Sequence, residues 1–253
     1  MYEALNDLRL VALDDLILHE AHDARRLARL RERLEWEKVQ RNPVIVSLRE
    51  EGYLVLDGAH RVHASRDVGN TLILVQLTSM PETPESWAHV VANPRLESLD
   101  DMKHLRVSST AEGAPAARIE APSGERLGVY PNDKGLDGEV LALCELQKVY
   151  PKDEVVHRLD PNAPVALKTG EVRILYRSFT PAELVDVVHS GNLLPAGITR
   201  FRIRERVLGV RYPLERMRGG DLDERNRELR EFVESQWQIN RVRRYDEPVV
   251  VFE

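Results

Sequence analysis

The chain has 253 residues, of which 42% are hydrophobic and 31% charged, enough for one large domain or two modest ones with a sizeable core. Its mean hydropathy of -0.39 and the lack of any apolar run near ~18 residues argue against both a membrane span and a disordered chain. Thirty-six Lys and Arg against 42 Asp and Glu leave a net charge of -6, which argues against a chain built mainly to coat nucleic acid. Acids in the first seven residues stand where a secretory signal needs a basic start, so the cytoplasm is the expected compartment. The single cysteine, Cys144, excludes an intrachain disulfide and a multi-Cys zinc site, and its apolar surroundings from Val140 to Leu143 predict an inert core thiol.

From Asp23 to Lys38 the apolar residues Ala24, Leu27, Leu30 and Leu34 recur at helical spacing, which predicts one amphipathic helix stopped by Asn42-Pro43. Val44–Leu48 and Tyr53–Leu56 then read as a β-hairpin about Arg49–Gly52. A helix over Val62–Val68 ends at Gly69, and Leu72–Leu77 is the next strand. Thr83-Pro84-Glu85 predicts a short helix carrying Trp87 and His89, and the run from Asn93 to Ala117 reads as irregular, with a loop at Ala111–Pro115. Arg118–Glu120 and Leu127–Tyr130 form a second hairpin, Asp137–Tyr150 a helix and Val172–Tyr176 a strand. Thr180-Pro181-Ala182-Glu183 is a capping box with proline at the first helical position, and Gly191 closes that helix. Asp221–Gln236 is a charged helix, on which Asn226 and Arg230 read as a solvated face, and Pro248–Phe252 is a final strand. The expected architecture is α+β in two lobes joined near residues 78 to 115.

Two stretches carry candidate chemistry. Between Arg200 and Arg218 seven arginines (200, 202, 204, 206, 211, 216 and 218) face only Glu205 and Glu215, which reads either as a solvated surface or as an anion-binding wall. At Leu56-Asp57-Gly58-Ala59-His60-Arg61 a buried strand runs through a glycine turn into a helix start. Backbone N–H groups and the helix dipole there favour phosphate, with His60 and Arg61 as added donors. The bland alternative is a turn in which Asp57 caps the helix and Arg61 makes a surface pair.

The same residues, followed by Ala64 and Gly69 and preceded by Arg41–Val46, resemble the D-G-x-H-R box of the ParB/sulfiredoxin-like superfamily. With His19-Glu20 before the first helix, Trp87-Ala88-His89 and Leu194–Arg200, the chain is similar to one branch, the free L-serine kinases, including those supplying siderophore biosynthesis. The likeness spans roughly residues 8 to 92 and 172 to 253. Ala59 stands where a sulfiredoxin needs its cysteine, and no helix-turn-helix pattern follows the box as it does in partition proteins.

The resemblance implies an N-terminal ParB/sulfiredoxin-like lobe with a small mixed sheet, residues 1–92, that binds nucleotide. A second α+β lobe, residues 93–253, completes the acceptor site in a cleft between lobes. The implied reaction is phosphoryl transfer from ATP or ADP, with Mg2+, to free L-serine, giving O-phospho-L-serine. Gly58, Ala59, His60 and Arg61 would bind the nucleotide phosphates; Glu20 would be the catalytic base and Asp57 a second catalytic carboxylate. Trp87, His89, Thr199 and Arg200 would bind the amino acid, although the next residue is Phe201 where many relatives have histidine. His19-Glu20-Ala21-His22 is one residue short of H-E-x-x-H, so Mg2+ carried by the phosphates is expected in place of a dedicated metal site. The rival reading is a nucleotide-responsive DNA-binding regulator; nucleic acid is not an expected partner, and no membrane is.

Overall fold

The computed structural model describes residues 2–82, 85–110, 113–152, 154–247 and 249. Contacts divide the chain into two compact units: unit 1 comprises Met1–Leu16, Ala24–Ser79 and Ile203–Glu253, and unit 2 comprises Ile17–Asp23 and Met80–Arg202.

Unit 1 begins with strands β1 (Leu8–Ala12) and β2 (Leu16–Ile17), at which the chain leaves the unit. It resumes with helix α1 (Ala24–Glu37), β3 (Val39–Gln40), β4 (Val44–Arg49), β5 (Gly52–Asp57), helix α2 (Ala59–Asp67) and β6 (Leu72–Leu77). The sheet has the order β1-β6-β4-β5-β2 and is mixed: β1 and β5 run antiparallel to their neighbours β6 and β4, whereas β4 and β6 are parallel. The β4–β5 hairpin stands as the sequence predicts. Of α1 only Leu34 is buried, with Leu27 and Leu30 half-buried at the spacing that predicted the helix.

Unit 2 holds β7 (Glu85–Ser86), β8 (Ala88–Ala92), β9 (Leu105–Ser108), β10 (Ala117–Glu120), β11 (Arg126–Pro131) and helix α3 (Gly135–Leu146). Then come β12 (His157–Leu159), β13 (Glu171–Tyr176), helix α4 (Pro181–His189) and β14 (Thr199–Arg200). Six strands make an antiparallel sheet in the order β12-β8-β13-β10-β11-β9, and β14 pairs with β7. The capping box forms as read: Thr180 Oγ1 accepts from Glu183 N, and the Glu183 carboxylate accepts from Thr180 N. The chain returns to unit 1 with β15 (Tyr212–Pro213), which pairs with β3, and helix α5 (Leu222–Gln238).

The helix expected to carry Trp87 and His89 is instead strand. Thr83 and Pro84 lie outside the described residues, and β8 runs between β12 and β13 with Ala88–Val91 buried, where Val90 and Val91 suit the pleat. Similarly, β9 arises inside the run read as irregular. A single division at residue 92 does not describe the units. Segment 80–92 goes with unit 2 because β8 is an inner strand of its sheet. Ile203–Glu253 goes with unit 1 because Tyr212, Leu214, Met217, Leu229 and Val233 share a core with Leu8, Leu10 and Leu74. Apart from Val249, the expected strand at Pro248–Phe252 lies outside the described residues, as do Ala111 and Glu112 of the expected loop.

Three amide side chains close gaps in the backbone pairing of unit 1. Asn226 on α5 is not simply solvated: its Oδ1 accepts from Leu10 N (2.9 Å) and its Nδ2 donates to Leu10 O (3.0 Å), pairing the outer edge of β1. Gln40 does the same for Leu74, at 3.0 and 2.8 Å. Buried Gln76 takes Val207 N at 2.9 Å and gives to Glu205 O at 2.8 Å, which fixes the backbone on either side of Arg206. Each such amide satisfies a donor and an acceptor that would otherwise be costly to bury.

Candidate active site

The candidate residues form two groups, each built within one unit. In unit 1, β5 ends at Asp57 and Gly58 turns the chain into α2 with φ +118°, a left-handed conformation that side chains rarely adopt. A Cβ at Gly58 would also lie 2.9 Å from Arg61 Nε. The N-cap position of α2 is Gly58, which has no side chain to offer the helix. The Asp57 carboxylate before it bridges two guanidiniums: Arg61 Nη2 is 3.3 Å from Oδ1, and Arg206 Nη1 donates to Oδ2 at 2.5 Å. Arg61 Nη1 donates to Pro43 O at 2.6 Å, which anchors the side chain beside the helix start. The first N–H groups of an α-helix have no partner within the helix, so the turn from Gly58 to Arg61 presents backbone donors together with two arginines. Arg206 came into view in the sequence only as one of seven clustered arginines; its pairing with Asp57 spans 149 positions.

In unit 2, Glu20 is not an acid of the first turn of α1, which starts only at Ala24. It lies in a parallel bridge with Leu194: Leu194 N donates to His19 O and Ala21 N donates to Leu194 O, both at 2.8 Å. Its carboxylate then meets the turn that follows. Oε2 accepts from Gly197 N at 2.9 Å, and Oε1 accepts from Thr199 N at 2.7 Å and from the Thr199 hydroxyl at 2.5 Å. A threonine hydroxyl has one proton to give. Having given it to Glu20, it accepts from His19 Nε2 at 2.9 Å, so Nε2 of His19 carries the hydrogen. His19 is buried, with Phe201 edge-on at 5.7 Å, so the residue that departs from the family pattern packs on the imidazole next to Glu20.

Thr199 and Arg200 form β14, held against β7. The Arg200 guanidinium lies 4.4 Å from the centre of the Trp87 ring, within cation–π range, and pairs with Asp160 (2.6 Å) and Glu85 (3.5 Å). Arg202 reaches the same two carboxylates, Glu85 at 2.5 Å and Asp160 at 3.8 Å. Hydrogen bonding from Arg200 holds the Asp160 carboxyl below the usual carboxylate range. Arg200 is thus placed by the Trp87 face and by charges of opposite sign. Neither Asp160 nor Glu85 was legible as a partner: one lies in a loop, the other in a segment read as helix.

His89 lies on β8 and is 1% exposed. Its Nε2 is 2.8 Å from Gly197 O and its Nδ1 is 3.0 Å from the Tyr150 hydroxyl, which is bonded in turn to the Tyr176 hydroxyl. Burial pulls the imidazole down to about 4 from an ordinary 6.5, so it is neutral at physiological pH. Burial also raises both tyrosines, Tyr176 to about 12, and raises the half-buried Cys144 thiol, as expected of an unreactive cysteine. Among the described residues no group of three or more His, Cys, Asp or Glu side chains is arranged to hold a metal ion, and no helix is long and apolar enough to cross a membrane.

No protein-family model matches the chain. The ATP-dependent L-serine kinase SbnI of Staphylococcus aureus is 28% identical over 232 residues, covering 89% of this chain and 90% of SbnI. A solved structure of C-terminally truncated SbnI from Staphylococcus aureus matches with a TM-score of 0.79 at 24% identity, over 94% of this chain and 100% of that one. A free serine kinase in complex with AMP matches with a TM-score of 0.67 at 16% identity, over 83% of this chain and 93% of the other. The chain is a homologue of SbnI, its fold is the one these structures share, and the serine-kinase resemblance read from the sequence is borne out to that extent.

Proposed function

We propose that this chain is a free L-serine kinase that transfers the terminal phosphoryl group of ATP to the serine hydroxyl, giving O-phospho-L-serine and ADP. The observation that carries the reading is the likeness to an ATP-dependent L-serine kinase along nine-tenths of both chains. The two groups of residues suit the two halves of the reaction. Unit 1 is the nucleotide-binding unit, and the Gly58–Arg61 turn, with Arg61 and Arg206 beside it, offers the donors that phosphate oxygens need. Unit 2 carries the acceptor side, with Thr199, Arg200 and Trp87 as contacts for the amino acid.

Phosphoryl transfer needs alignment and charge neutralisation more than covalent help. The serine oxygen forms its bond to phosphorus as the bond from phosphorus to the departing ADP oxygen breaks, and the hydroxyl proton passes to Glu20. Of the four acceptor positions on a carboxylate, both on Oε1 and one on Oε2 are filled by Thr199 and Gly197. Oε2 therefore keeps the acceptor position that a serine hydroxyl would use. Mg2+ entering with the nucleotide phosphates would supply charge neutralisation there, with Asp57, at the end of β5, as the carboxylate of that turn. ATP and free serine are both cytoplasmic solutes, so the cytoplasm is the compartment in which this activity serves.

The test is direct. Purified protein is incubated with Mg2+, with ATP or ADP, and with each of the twenty amino acids, and phosphoamino acid is sought by mass. Phosphoserine formed with ATP supports the reading. Salt-dependent binding of duplex DNA without any nucleotide turnover would replace it with the regulator reading.

A further inference from the structure

His89 is a buried, titratable side chain for which the reaction above has no chemical step, and both of its ring nitrogens are engaged inside unit 2. A carbonyl oxygen only accepts, so the bond to Gly197 O requires the hydrogen on Nε2. The neutral ring then has a bare Nδ1, to which the Tyr150 hydroxyl donates, leaving the Tyr150 oxygen to accept from the Tyr176 hydroxyl. The chain of bonds thus has one direction, from Tyr176 through Tyr150 and His89 to the carbonyl of Gly197. The Gly197 N–H, on the other side of the same residue, donates to Glu20 Oε2.

The rest of the turn is held in the same way. Gln147 Nε2 donates to Ala196 O at 3.2 Å, Trp87 N to Ile198 O at 2.9 Å and Ala21 N to Leu194 O at 2.8 Å. Gly197 itself has φ +73°, and a Cβ there would lie 1.8 Å from Arg158 Nη2, so the backbone passes directly against that guanidinium. The groups facing His89 are Tyr150, Tyr176 edge-on at 5.1 Å, and the Arg158 cation, which adds to the penalty on protonating the ring.

We propose that His89 is a positioning residue for Glu20: it fixes the Gly197 peptide so that the Gly197 and Thr199 N–H groups meet the carboxylate, and it does not touch the amino-acid substrate. This assigns His89 a role different from the substrate contact that the resemblance implies, and it rests on the serine-kinase reading only for its effect on turnover.

The experiment compares His89→Leu, which removes both bonds, with His89→Gln, whose amide NH2 can replace the Nε2 donor, in the full-length protein. The first readout needs no activity: hydrogen exchange at the Gly197 and Thr199 amides is expected to speed up about tenfold or more in His89→Leu and to stay near wild type in His89→Gln. The second is kinetic. His89→Leu is expected to lower kcat about 10- to 100-fold, the scale of a misplacement near 1 Å, with serine KM within about threefold and substantial recovery in His89→Gln. In a Glu20→Gln background the same His89→Leu change is expected to cost less than about threefold, because residues acting through one another are not additive.

A raised serine KM at unchanged kcat would overturn the proposal in favour of direct substrate contact, and equal losses in both backgrounds would place the action of His89 elsewhere. Unchanged exchange at both amides would overturn it outright. Wild-type protein without any turnover would refute the kinase reading alone and leave the exchange result to decide the positioning. If His89→Leu does not fold, Tyr150→Phe, which removes the donor to Nδ1 and with it the acceptor for the Tyr176 hydroxyl, takes its place with the same expected ordering.

Discussion

Glu20→Gln separates the chemical role of Glu20 from its structural one, because the structure shows what the amide cannot do. Glu20 faces donors on both oxygens: Gly197 N on Oε2, and Thr199 N with the Thr199 hydroxyl on Oε1. A glutamine has one oxygen. The less costly orientation keeps it toward Thr199 and turns the NH2 toward the Gly197 N–H, donor against donor. One hydrogen bond to a charged acceptor is then lost, a cost of about 1.5 to 3 kcal/mol. At 2 to 4 °C per kcal/mol for a chain of this size, the melting temperature should fall by about 3 to 12 °C. That orientation also puts a donor where the serine hydroxyl needs an acceptor, so kcat should fall by about 10²- to 10⁴-fold, the usual share of a general base. Nucleotide affinity should change little, since the proposed phosphate donors belong to the other group of residues.

Calorimetric unfolding, a phosphoserine assay by mass and nucleotide titration would measure the three quantities on one preparation. A folded variant keeping more than about a tenth of wild-type turnover would refute the assignment of Glu20 as base, since general base catalysis is worth at least tenfold more. The search would then move to Asp57. A melting temperature within about 1 °C of wild type would refute the hydrogen-bond account instead, whatever the kinetics.

Three further outcomes follow from the geometry. Arg61→Ala should weaken nucleotide binding by about 1.5 to 3 kcal/mol by calorimetry, the range for hydrogen bonds to charged groups, and unchanged affinity would remove the phosphates from that turn. Arg200→Ala should raise serine KM or lower kcat while nucleotide binding without serine stays near normal; loss of nucleotide affinity at constant serine KM would put Arg200 on the donor side. The depressed imidazole of His89 makes stability pH-dependent: its native value of about 4 lies below the ordinary 6.5, so between these values the unfolded chain binds the proton that the native ring refuses. Stability should therefore decline as pH falls from about 6.5 to about 4 by roughly 3 kcal/mol more in wild type than in His89→Gln, and equal declines in urea titrations would refute it.

Elements whose cause is local were legible in the sequence. The α1 stripe of Leu27, Leu30 and Leu34, the β4–β5 hairpin and the Thr180–Glu183 capping box all follow from residues within one or two turns of each other. The strand at Ala88–Ala92 was not, because Thr83-Pro84-Glu85 imitates a helix start and only burial between β12 and β13 decides for strand. Nor was the composition of the units, since the return of Ile203–Glu253 to the first sheet depends on Tyr212, Met217 and Leu229 finding a core laid down some 200 positions earlier.

The candidate site divides along the same line. The Asp57–Arg61 turn is contiguous, so its glycine, helix start and arginine could be read together as a place for phosphate. The Glu20 group is assembled from residues up to 179 positions apart, and no spacing rule connects a carboxylate before the first helix with the N–H groups of Gly197 and Thr199. Resemblance alone singled out Glu20, and with it the Leu194–Arg200 block, as separate pieces. Two of the three bonds that connect them come from the backbone, the Gly197 and Thr199 N–H groups, and the Thr199 hydroxyl gives the third. An L-residue in place of Gly197 would have to hold a left-handed φ of +73° and push the Arg158 guanidinium aside, so the glycine marks the turn on which this carboxylate site is built.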